Sequence, residues 1–146
     1  KIAVLYLLLS PFFLFASFND STPEVQKGKW LLTIQNLNNE KVTIMSIRFA
    51  DKGAESCLGG EWLQLTKKAI YDEDEDFPVE DFLSYQLKDG RLIVGRNGIC
   101  DAYLHPSGEF EGDKSSGEYV SFGWSGEKLG YFTLKNFSAR ADIGIR

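Results

Sequence analysis

From Trp30 onward the chain alternates apolar and polar residues with a period of two, and turn-forming residues interrupt the alternation. Trp30, Leu32 and Ile34 fall on one face of the first run, with Leu31, Thr33 and Gln35 on the other. Asn38-Asn39 then turns the chain into Val42–Phe49. Gly53 and Gly59-Gly60 lead on to Glu61–Ala69, where Leu63 and Leu65 alternate with Trp62, Gln64 and Thr66. Phe82–Lys88 and Arg91–Arg96 flank Asp89-Gly90, a pair that tolerates positive φ at both positions and so makes a two-residue hairpin. Asn97-Gly98 reads as a second turn, into Ile99–His105, and Ser107-Gly108 as a third. Gly112 to Gly117 reads as a loop before Glu118–Trp124, and Ser125-Gly126-Glu127 leads into a last strand, Lys128–Lys135.

No stretch of this region carries a helical period. Short strands with short connections predict an all-β fold, an antiparallel up-and-down meander over 28–136. Closing the meander into an eight-stranded barrel removes its open edges, and this is the expected architecture, with a β-sandwich as the alternative.

The first sixteen residues follow a different pattern. Lys1 precedes an apolar run from Ile2 to Phe15 that ends at Ala16, and polar residues resume at Asn19. That order matches a secretory signal peptide over 1–16, cut after a small residue. The run is shorter than the ~20 residues that span hydrocarbon, and Pro11 interrupts it, so no stable membrane anchor is expected after cleavage. Residues 17–27 read as a flexible lead-in and 137–146 as a C-terminal tail without an assigned element. The expected location is secreted or periplasmic.

Export changes the reading of Cys57 and Cys100. An even cysteine count in an oxidising compartment predicts a disulfide, closing a loop of about 44 residues for roughly 4 kcal/mol in the chain-entropy picture. The net charge of −5 and the absence of any long basic run argue against a nucleic-acid partner.

The inventory for catalysis is thin. His105 is the only histidine, which excludes a multi-histidine metal site within one chain, and its place before Pro106-Ser107-Gly108 predicts a strand-end residue on a turn. Asp72 to Asp76 is a run of five acids whose start has the spacing of an EF-hand loop. Phe77 stands where that loop needs glycine and Leu83 where it needs glutamate, so the run is expected to be a solvated, extended loop. No phosphate-cradling glycine loop occurs. The expectation is no catalytic residue, no metal and no cofactor: a protein that is not an enzyme. Asn19-Asp20-Ser21 and Asn136-Phe137-Ser138 fit the N-glycosylation pattern.

The aromatic content, three Trp, six Tyr and eleven Phe, is the most suggestive feature. Trp30, Trp62, Tyr85, Tyr103, Phe122 and Trp124 all fall in predicted strands. Flat side chains with polar tips suit either a packed core or a cavity for an amphipathic molecule, so these six are the ligand-binding candidates.

Gly28-Lys29-Trp30, opening the first strand just after the export signal, resembles the Gly-x-Trp of lipocalins and the wider calycin group, which includes avidin-like proteins. The resemblance implies an up-and-down barrel closed at its bottom by Trp30, with a cup for a small hydrophobic or heterocyclic ligand. Certain secreted bacterial protease inhibitors are similar in the same respect, and for them the N-terminal segment, here Phe18 to Gln26, carries inhibition. Two functions follow as expectations. The first is an exported barrel binding a small, amphipathic or hydrophobic molecule inside. The alternative is a secreted interaction protein, such as an inhibitor of a protease, a lysozyme or another secreted hydrolase.

Overall fold

The computed structural model describes residues 25, 27–56, 59–73, 77, 82–96, 103–123 and 126–137. They form eight antiparallel strands: β1 (Trp30–Asn36), β2 (Lys41–Gly53), β3 (Leu63–Asp72), β4 (Leu83–Lys88), β5 (Arg91–Arg96), β6 (Tyr103–Phe110), β7 (Lys114–Phe122) and β8 (Glu127–Asn136). Each strand pairs with its sequence neighbour and β8 returns to β1, so the meander closes into a barrel. The predicted barrel is therefore the observed fold, and the sandwich is not. The expected signal peptide over 1–16, Cys57, Cys100, Asn97-Gly98 and Trp124 lie outside the described residues.

Register fixes which face of each strand is inside. Trp30, Leu32 and Ile34 stand opposite Ile47, Met45 and Thr43 on one side and Asn136, Leu134 and Phe132 on the other. All of these are buried. A shift of one residue would turn the whole set to solvent, which is why the alternation specifies the register so strongly. The Asp89-Gly90 hairpin forms as expected, with φ of 52° and 74° at its two central residues.

Two predicted connections are strand instead. Ser107-Gly108 lies within β6, and β7 already begins at Lys114, leaving only Glu111 to Asp113 as the turn. Gly108 and Gly117 pair with each other on the inner face, where a Cβ on either would meet the other strand's main chain. Glycine is present there for close approach of backbones and not for a turn. Pro106 is tolerated inside β6 because the β5–β6 ladder ends at Ile93↔Ser107, next to it.

The ladders are uneven. β3 and β4 share only Leu63↔Tyr85 and Gln64↔Ser84, whereas β6 and β7 share eight pairs. Strand connections alternate between two ends. The lead-in end gathers Val25, Lys27 to Lys29, the described residues between β2 and β3, the Asp89-Gly90 turn, the 111–113 turn and Phe137. Val25, expected in a flexible lead-in, packs against the core. The tail is fastened too at its first residue, where Phe137 N–H donates to Lys29 C=O at 2.8 Å.

Candidate functional site

The interior is occupied by its own side chains. Trp30 meets Phe49 edge-on at 5.3 Å between ring centroids and lies 5.8 Å from Phe110, while Phe49 meets Tyr85 at 4.7 Å. Phe77 packs edge-on against Tyr119 at 5.8 Å. Trp30, Leu32, Ile34, Met45, Ile47, Leu92, Val94 and Leu134 have 0 % of their surface accessible. A void large enough for one water would expose part of its walls, so none touches these eight side chains.

The six aromatic candidates therefore do not line one cup. Trp30 and Tyr85 point inward and meet through Phe49. Trp62 sits on the outer face, where a Cβ on Gly95 would come within 3.3 Å of its ring, and its Nε1 donates to Gly59 C=O at 3.2 Å. Phe122 also points outward and is 54 % exposed. The Tyr103 side chain and Trp124 lie outside what is described. The cause is parity: Trp62 precedes inward Leu63 by one residue, and Phe122 follows inward-facing Tyr119 by three.

His105 is not on a turn. It is the third residue of β6, on the outer face and 9 % exposed, with Phe122 at 6.2 Å. Burial, then the nearby Arg91 charge, lowers its pKa to about 4. An imidazole so shifted is neutral at pH 7 and a weak base, unlike a catalytic histidine poised near neutrality. Arg91 is itself held, its Nε donating to Ser107 Oγ at 2.9 Å. Among the described residues no group of three or more His, Cys, Asp or Glu could hold a metal ion. Asp72, at the start of the acidic run, accepts a hydrogen bond from Thr43 Oγ1 at 3.0 Å. Residues 74–76 of that run lie outside the described residues.

The concave surfaces open at the lead-in mouth of the barrel, where inward-facing Phe49, Leu63, Tyr85 and Leu87 meet exposed Lys27, Asp51 and Glu61. At the lead-in end a groove of about 570 Å³ is lined by Lys27 to Lys29, Arg48 to Asp51 and Phe137. A second, of about 220 Å³, runs from Val25 and Asp51 past Glu61 to Tyr85 and Leu87. The first holds three cations, with half-buried Phe49 and Phe137, which is 56 % exposed. Lys27 reaches Asp51 at 3.8 Å, but both are so exposed that the pair adds little stability. Tyr85 OH donates to Ala50 C=O at 3.4 Å, and burial, then Asp51, raises its pKa, so it stays protonated. Sequence pattern gave no sign of this groove, because Arg48 and Asp51 are far along the chain from Lys27 and Lys29 and only the fold brings them together. Asn136, acceptor of the second glycosylation pattern, pairs with Trp30 and is 8 % exposed, so the fold encloses it.

Compared with known protein families, curated proteins and solved structures, the chain matches none.

Proposed function

We propose that this protein is an exported, non-enzymatic interaction module whose partner meets the outside of the barrel. The observation that carries this reading is the complete burial of Trp30, Ile34, Met45 and Val94 around a mutually packed aromatic cluster. A drug-sized ligand needs a concavity that buries most of its surface, and the inward side chains fill that space themselves. The grooves beside Asp51 are open, which suits an extended or macromolecular partner. The neutral His105, buried with the Phe122 ring beside it, supports a structural role for that residue.

The rival is a small amphipathic molecule inside the barrel. Native mass spectrometry of the mature protein, alone and after incubation with a lipid extract, separates the two. The outside-binding reading expects one mass, that of the protein. A stoichiometric lipid adduct that survives desalting overturns it.

A further inference from the structure

The outer wall formed by β8, β1, β2 and β3 is built differently from the rest of an acidic molecule. Register aligns Lys114, Lys135, Leu31, Ser46 and Lys68 in one row across five strands. At about 4.8 Å per strand the row spans about 19 Å. Arg48, opposite Thr66, lies two residues along β2 from this row, and Lys29 joins it at the lining of the larger lead-in groove. Lys29, Arg48, Lys68 and Lys135 are all exposed.

Lys114 is paired to Glu111 at 2.7 Å. Lys29, Arg48, Lys68 and Lys135 have no ion-pair partner among the described residues and no acid beside them in sequence. Lys41, Lys52 and Lys88, by contrast, each adjoin an acid. The carboxylates of these four strands, Asp51, Asp72 and Glu127, stand at or near strand ends. Lys114 stands directly opposite Lys135 with its own charge met by Glu111. The other four cations make no ion pair that would hold the fold together among the described residues.

We infer that this wall, continued into the lead-in groove, binds a linear anionic polysaccharide; the inference rests on the outside-binding reading above. Lys135 and Lys68, unpaired among the described residues and about 14 Å apart across three strand spacings with Arg48 and Lys29 beside them, match a polymer of repeated charges better than one small anion. Between them stand Thr33, Ser46, Thr66 and Thr133, hydroxyls that both donate and accept and so suit sugar hydroxyl groups. A protein partner would call for exposed Trp, Tyr or Met at the centre and few lysines, and the centre here is Leu31 and Ser46.

The test is fluorescence anisotropy of a labelled heparin decasaccharide with the full mature protein, at low and high salt. Wild type is expected to bind and to weaken at least about tenfold as salt rises. Arg48→Gln, Lys68→Gln and Lys135→Gln together are expected to weaken binding by about tenfold or more at low salt. A control with Lys41, Lys52 and Lys88 changed to Gln removes the same charge and should stay within about twofold of wild type. Circular dichroism checks folding; if the triple variant is misfolded, the three single variants replace it. No binding by wild type, equal losses in variant and control, or equal affinity for poly-glutamate or phosphatidylserine vesicles would each overturn the inference. Failure here with no lipid adduct in the mass spectrum sinks the polysaccharide alone, whereas an adduct sinks the outside-binding reading itself.

Discussion

Gly108 on β6 and Gly117 on β7 face each other inside the barrel, and a Cβ added to Gly108 would lie 2.8 Å from the Gly117 Cα. The obstacle is main chain, which cannot swing aside as a side-chain tip can. Gly108→Ala and Gly117→Ala are each expected to cost about 3 kcal/mol. Calorimetry should read that as a fall in melting temperature of about 10 °C. Gly53→Ala, with nothing within 4 Å of its Cβ, is the control and should stay within about 0.5 kcal/mol of wild type. Equal effects at all three positions would contradict the close-approach reading.

Those glycines mark where sequence reasoning and structure part. Alternation located six of the strands and placed β6 and β7 only in part, and Asp89-Gly90 declared its hairpin through local φ preferences alone. Ser107-Gly108 uses the same residue types for a long-range purpose that no local code carries. Alternation also separates two faces without saying which is inside. For Trp62 and Phe122 the answer depends on partners in other strands, so their place outside the barrel was not legible. The cationic wall was hidden for the same reason: Lys135, Arg48 and Lys68 become neighbours only through register.

Trp30 anchors the lead-in end through Phe49 and Phe110. Trp30→Ala is expected to destabilise by about 4 kcal/mol, and Trp30→Phe by clearly less, in urea unfolding. If Trp30→Ala leaves the midpoint unchanged, the packed-interior account is wrong.

His105 couples stability to pH. Its folded pKa of about 4 lies below the ordinary 6.5, so between these values the unfolded chain binds more protons than the folded one. Its contribution is complete above pH 6.5 and is lost as pH falls toward 4, by about 3 kcal/mol. His105→Gln should flatten that slope in unfolding experiments at pH 7, 5.5 and 4 relative to wild type. An unchanged slope would show that the imidazole is as protonated folded as unfolded.

We propose that Cys57 and Cys100 form a disulfide in the exported protein. Glu61 and Trp62, a few residues after Cys57 in the chain, rest on β4 and β5, with Gln86 Nε2 donating to Glu61 C=O at 3.3 Å and Trp62 against Gly95. The oxidised protein should be lighter by two hydrogens than the reduced one, and reduction should lower stability by roughly 4 kcal/mol. Two alkylatable thiols in the unreduced, denatured protein would refute the bridge.

Xenon distinguishes a packed lumen from a hollow one, because dry apolar cavities take it up. Methyl NMR under rising xenon pressure reads every interior methyl at once. With the lumen packed, no saturable shift is expected at Leu32, Ile34, Ile47 or Val94. Saturable shifts clustered on those methyls would reveal a cavity at the barrel's centre and contradict the packed lumen.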